Sequence, residues 1–214
     1  IGPTGSGKSS LISLIPRLYD TTSGSVMIGN KDVRNLKIND LRKIIGVVLQ
    51  DTTLFSGSIA DNLRFGKEYA TKEMMESAAI DAQASEFISQ NKEGYDREVG
   101  QRGKSLSGGQ KQRVSIARTL IKDPKILILD DSSSALDMAT EAKLQKSIKN
   151  RMKDTTVLLI AQRISAVMDS DKILVLDNGE IVAIGTHNEL IRNCEIYRSI
   201  AISQLGGEAV LNVD

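Results

Sequence analysis

The segment GPTGSGKS, Gly2 to Ser9, sets glycines and a lysine at the spacing G-x-x-x-x-G-K-[ST]. Gly2, Gly5 and Gly7 let a backbone turn sharply, so that successive N–H groups point inward at phosphate oxygens. A helix starting there adds partial positive charge, and Lys8 neutralises the outer phosphates. Ser9 offers a hydroxyl ligand to Mg²⁺. Pro3, Thr4, Ser6 and Ser10 complete the wrapping stretch. Far along the chain, KILILDDSSSALD, Lys125 to Asp137, runs four apolar residues into Asp130 and Asp131. A carboxylate at the C-terminal edge of a buried strand faces the crevice where such phosphate loops sit. Asp130 can therefore hold the Mg²⁺ shell, through water. Taken singly, a glycine-rich turn before Lys-Ser and an aspartate after a strand are both ordinary features. Together they read as a phosphate and metal site.

These residues need elements to hold them. The spacing predicts a helix from Lys8 toward Tyr19 with Leu11, Leu14, Ile15 and Leu18 on one face, ending near Pro16. A turn at 21–24, a short strand Ser25–Ile28 and a turn at Gly29-Asn30 follow. Asn39 or Asp40 can cap a short helix before the strand Ile45–Gln50. From Asp51 to about Leu120 the periodicity is helical: Thr71 caps one bent helix or a pair, and GGQKQRVSIARTLI is another. Strands and helices then alternate. The strand ILIL precedes a helix from Asp137 to Met152, TTVLLIA precedes a helix near 164–168, and KILVLD and EIVAIG form a hairpin turning at Asn178-Gly179. A helix from His187 and a polar tail, GGEAVLNVD, close the chain. Alternation at both ends of a helical middle predicts an α/β fold, with a parallel-sheet core at 1–50 and 121–214 and an inserted helical subdomain at 51–120. A phosphate loop normally follows a buried strand, yet only Ile1 precedes this one, so the chain is expected to begin inside a domain.

Composition removes several function classes. The 214 residues carry a net charge of +1, which gives no electrostatic case for nucleic acid or an anionic membrane. Aromatics make up 3% and tryptophan is absent, so no stacking platform for single strands is expected. The lone Cys194 excludes an internal disulfide and reads as a packed thiol in a late helix. No apolar run approaches the ~18 residues of a membrane span, and no signal peptide is evident.

LSGGQKQR, Leu106 to Arg113, resembles the signature motif of ATP-binding cassette (ABC) proteins. Ser107, Gly108, Gly109 and Gln110 open a helix and form a second anion site. In the family arrangement that site closes over ATP held by a partner cassette, head to tail. Other segments fit in order. Gln50 resembles the glutamine that touches Mg²⁺ and senses the membrane domain. REVGQRG, Arg97 to Gly103, resembles the loop preceding the signature in exporter cassettes, and SALD, Ser134 to Asp137, resembles the loop that crosses the dimer interface. The resemblance covers essentially the whole chain and implies a P-loop NTPase fold, ATP and Mg²⁺ as cofactors, and a place at the cytoplasmic face of a membrane. It also implies a transmembrane domain and an adenine-stacking aromatic that this chain lacks. A chromosome-maintenance ATPase would need a long coiled coil between loop and signature, and a soluble translation factor normally carries two cassettes.

Two positions depart from the family pattern. Asp131 stands where the family has the glutamate that acts as general base, and Gln162 stands where it has a histidine near the γ-phosphate. Aspartate is one methylene shorter, and a ~1 Å displacement of a catalytic group can lower a rate ~10²-fold. Glutamine donates a hydrogen bond but carries neither proton nor charge. The chain's only histidine, His187, lies in GTHNEL at a helix start and reads as a surface or capping residue. The chain's own site is thus expected to bind nucleotide and hydrolyse it slowly, while its intact signature serves a better site on the partner. That asymmetry resembles one half of a heterodimeric exporter. A homodimer with two slow sites and a nucleotide-binding clamp are the alternatives.

Overall fold

The computed structural model describes residues 1–100 and 103–206. Arg102, expected in the loop before the signature, and residues 207–214 of the polar tail lie outside them. The chain forms two compact units, one of Ile1–Lys37 together with the chain from Leu159 onward, the other Ile38–Leu158.

The first unit opens with Ile1, whose N–H donates to Leu174 O and whose carbonyl accepts from Leu176 N, each at 2.9 Å. One residue thus makes the parallel-type pair of bonds to a single neighbouring strand. Helix α1 spans Lys8–Ser13 and stops well short of Tyr19. The next amides, of Leu14 and Ile15, bond three residues back, and Arg17 turns left-handed at φ 53°, so the chain tightens and leaves the helix around Pro16. The buried residue of α1 is Ile12, whereas Leu11 and Leu18 are exposed. The expected apolar face is therefore not the packed one, because so short a helix carries no stripe to Leu18. Strands β1 (Met27–Ile28) and β2 (Lys31–Asp32) pair antiparallel across Gly29-Asn30. The expected strand is shorter than predicted, and β2 was not expected.

The second unit begins with α2 (Ile38–Lys43). Asn39 and Asp40 lie inside it rather than capping it; Asp40 sits in the first turn, where its charge suits the helix N-terminus. Strand β3 (Ile45–Val48) is followed by α3 (Ile59–Arg64), opened by a Ser58–Asp61 capping box. Thr71 caps α4 (Lys72–Asp81), and α5 (Ser85–Ser89) is a separate helix because Gln83 takes φ 57° between them. Next come α6 (Gly108–Leu120), β4 (Ile126–Asp130), α7 (Met138–Arg151), and β5 (Thr156–Ile160). Asp137 caps α7 by accepting from Thr140 N, and the Thr140 hydroxyl, together with that amide, holds its carboxyl below the usual range. β3 and β4 are parallel, Val48 opposite Leu129, in a sheet of order β3-β4-β5. Within β4, Leu127 and Ile128 are fully buried, as are Ile116 and Leu120 of α6. Burying each such side chain contributes about 1.5–3 kcal/mol.

The first unit resumes with α8 (Ile164–Val167) and the hairpin β6 (Ile173–Asp177) to β7 (Glu180–Gly185). Asn178 and Gly179 both take positive φ, the type I′ geometry that suits strand twist. The helix expected from His187 is two helices, α9 (His187–Asn193) and α10 (Glu195–Leu205), split by extended Cys194. Cys194 packs in the core with Ile1, Ile164, Val175, Leu190 and Tyr197.

Candidate functional site

In the first unit, the glycine loop leads straight into α1 through left-handed Gly7, φ 95°, which stands at the helix start without a capping side chain. Gly2 has no room for a side chain: a Cβ there would lie 2.0 Å from Leu176 O. Gly5, at φ 83°, has nothing near it and needs only the freedom to turn. Ser6 is buried; its N–H donates to Pro3 O at 3.3 Å and its carbonyl accepts from Gly179 N at 3.2 Å. The β6–β7 turn thus buttresses the loop. Lys8 Nζ donates to Gly2 O at 2.9 Å and Pro3 O at 2.7 Å, with Ser6 Oγ at 3.4 Å. It bends back over the loop it follows. Thr4, Ser9 and Ser10 are exposed. The donor set suits a polyphosphate: amides, an ammonium group and hydroxyls, with no carboxylate among residues 1–10.

Gln162 follows β5 on an exposed turn held by α10. Gln204 Nε2 donates to Gln162 O, and Gln204 Oε1 accepts from Ile164 N, both at 2.7 Å. Gln204 had no signal in the motif spacing, because a glutamine on an amphipathic helix reads as surface. His187, the first residue of α9 after the Thr186 cap, shares a hydrogen bond with Tyr197 Oη through Nδ1 at 2.8 Å. Burial lowers its pKa, Asp169 opposing, while burial pushes Tyr197 up to about 12.

In the second unit, β4 delivers Asp130 and Asp131 to its C-terminal end, 5% and 7% exposed. Asp131 turns left-handed at φ 45°. Gln50, just beyond β3, donates from Nε2 to Asp131 Oδ2 at 3.4 Å. The parallel pairing of β3 and β4 brings this pair together across 81 residues of sequence. The turn after Asp131 is closed by Ser134, whose Oγ donates to Asp131 O at 2.9 Å. Ser133 Oγ donates a short hydrogen bond to the buried Glu141 of α7.

The signature segment starts α6 with a complete capping box: Ser107 Oγ accepts from Gln110 N at 3.3 Å and Gln110 Oε1 from Ser107 N at 3.0 Å. The spacing S-x-x-Q carries that signal, although Gln110 was expected as a nucleotide contact. The two glycines differ. A Cβ on Gly109 would lie 3.0 Å from Ala135 O and 3.2 Å from Leu136 Cδ2, whereas one on Gly108 would meet only Ala135 Cβ, at an ordinary 3.6 Å. Gly109 lets α6 close on the turn after β4, whereas among the described residues none crowds a Cβ at Gly108. Arg97 and Ser105 fold the preceding loop back through bonds to Ser105 O at 2.8 Å and Glu98 O at 3.0 Å.

A family model described as ABC transporter matches residues 1–134. An uncharacterized ABC transporter ATP-binding protein, YfiB of Bacillus subtilis, is 49% identical over 97% of this chain and 36% of its own length. A beta-(1-->2)glucan export ATP-binding/permease protein, NdvA of Rhodopseudomonas palustris, is 47% identical over 95% of this chain and 34% of its own. Among solved structures, a bacterial Atm1-family ABC exporter with ATP bound is 40% identical, with a TM-score of 0.92 over 94% of this chain and 36% of that one. The chain spans about a third of the length of the curated relatives it matches.

Proposed function

The chain belongs to the ABC transporter family, with the family's P-loop NTPase fold, and on that premise we propose that it is the cassette of an exporter whose own nucleotide site turns over slowly. Residues 51–120 would be its helical subdomain, set into a core of 1–50 and 121–214. Among the described residues no helix is long and apolar enough to cross a membrane. The exporter's membrane domain would lie beyond these residues, with this cassette at its cytoplasmic face. The relatives support that reading, since the glucan exporter is named as an ATP-binding protein and a permease at once.

Gly2, Pro3, Thr4, Gly5, Ser6, Gly7, Lys8, Ser9 and Ser10 would hold the phosphates of ATP; Ser9, Gln50 and Asp130 would hold Mg²⁺. Bound Mg²⁺ supplies charge that offsets the phosphates. Gln50 orients the carboxylate of Asp131, the candidate base for the attacking water, and Gln162 donates a hydrogen bond to the γ-phosphate. Ser107, Gly108, Gly109 and Gln110 serve ATP held by a second cassette, most simply a heterodimer partner with the family's glutamate and histidine.

The observation that carries this reading is Asp131 itself, a buried carboxylate at the end of β4 that touches Gln50. It is one methylene shorter than the family's base. The test is equilibrium binding of MgATP beside phosphate release. Binding with very slow release is expected from the cassette alone; release at the family's ordinary exporter rate would refute the slow site.

A further inference from the structure

The second unit buries a glutamine for which motif spacing has no role. Gln112, on α6, is 5% exposed. Its Oε1 accepts from Ala135 N at 3.1 Å and its Nε2 donates to Ser134 Oγ at 3.3 Å. Ser134 Oγ donates in turn to the carbonyl of Asp131 at 2.9 Å. Every step in this chain of bonds has a fixed direction. A backbone N–H can only donate, so the oxygen of Gln112 must face Ala135 and its NH₂ must face Ser134. Ser134 accepts from that NH₂ and keeps its single proton for Asp131.

Asp131 needs such support. At φ 45° it sits in the left-handed region, which costs an L-residue energy even where aspartate tolerates it better than most. The turn from Asp131 to Leu136 is also packed from the α6 side, where Gly109 allows close approach to Ala135 O. We infer that Gln112 is a positioning residue for Asp131: through Ser134 it holds the turn that carries the carboxylate, and it joins that turn to the helix bearing Ser107–Gly109. The inference rests on the reading of Asp131 as the base at this chain's own slow site. It adds a direct mechanical tie between that site and the segment offered to the partner's nucleotide.

Gln112→Glu tests the tie with little change of shape. A carboxylate still accepts from Ala135 N, but its other oxygen now accepts the Ser134 proton, which Asp131 O therefore loses. In the full-length transporter, single-turnover phosphate release should show the slow phase falling about 5- to 10-fold, the usual effect of one hydrogen bond. The KM for ATP should stay unchanged. Ser134→Ala breaks the same tie from the other side, so the two losses should not add. Neither substitution should slow an Asp131→Asn variant further. A Gln112→Glu loss that persists undiminished in the Asp131→Asn background, or a KM that moves together with the rate, overturns the positioning role alone. Equal slow phases in the parent and Asp131→Asn overturn the base assignment, and this inference with it.

Discussion

Lengthening Asp131 to glutamate should speed the chain's own site, and the structure sets both the gain and its counterweight. The Asp131 carboxylate is fixed by β4 behind it and meets the Gln50 amide at 3.4 Å. Asp131→Glu moves that carboxylate outward by about one carbon–carbon bond, ~1.5 Å. If reach is what limits the base, a displacement of ~1 Å is worth ~10²-fold, or ~2.7 kcal/mol at 1.36 kcal/mol per decade. The backbone opposes the change. Position 131 holds φ 45°, which aspartate tolerates better than glutamate. The left-handed penalty is about 1–2 kcal/mol for ordinary residues, and part of it should appear as lost stability. The slow phase of single-turnover phosphate release should therefore accelerate by up to ~10²-fold, while the thermal midpoint falls slightly. Adding Gln162→His should help by less than its separate effect, because both act on one transition state. A properly folded Asp131→Glu variant that binds ATP as the parent does, yet releases phosphate no faster, refutes the reach argument.

On the proposed two-cassette reading, Gly108→Val should abolish most ATPase activity of the assembled exporter, since among the described residues a Cβ there meets only Ala135 Cβ at an ordinary distance, while the partner's phosphate would be crowded. Lys8→Ala should remove only the slow site's share, and the two rates compared side by side check this; equal losses would point to two equivalent sites. Gly2→Ala should lower both ATP affinity and thermal stability, because its Cβ would sit 2.0 Å from Leu176 O. Normal binding and melting by that variant would contradict the loop geometry. Burial lowers the pKa of His187, so its share of stability is complete above the unfolded value of about 6.5 and is lost as pH falls below it. Thermal midpoints between pH 7 and 5 should therefore fall less for His187→Gln than for the parent.

Elements with both a start signal and a period were legible in the sequence. Asp137 and Met152 bound α7 as expected, and Asn178-Gly179 turns the β6–β7 hairpin. The end of α1 and the break in the last helix were not. α1 ends where an apolar pattern continues, because left-handed Arg17 and the turns around Pro16 override it. Cys194 breaks the last helix without any glycine or proline to announce it. In the candidate site, residue types and spacing pointed to the glycine loop, the aspartate pair and the signature. The glutamines that hold the turns at Asp131 and Gln162 did not show. Gln112 and Gln204 act by bonding backbone groups of distant loops, which leaves no trace in local spacing. The differing roles of Gly108 and Gly109 likewise depend on where the Ala135 carbonyl lies, a tertiary fact.

The capping box at Ser107 and Gln110 has a consequence for the proposed meeting of two cassettes. Each of these residues satisfies the other's backbone N–H, so the start of α6 is ordered by its own side chains before any nucleotide arrives. Fixing one backbone residue costs about 1–2 kcal/mol in lost conformational freedom, and here that loss is taken during folding. Encounter with a nucleotide-loaded partner then resembles the docking of a rigid surface, in which little affinity is spent on ordering a loop. Removing the Gln110 side chain would shift that entropy loss from folding to association. Its effect should then surface as slower, weaker dimer formation even where the isolated fold survives.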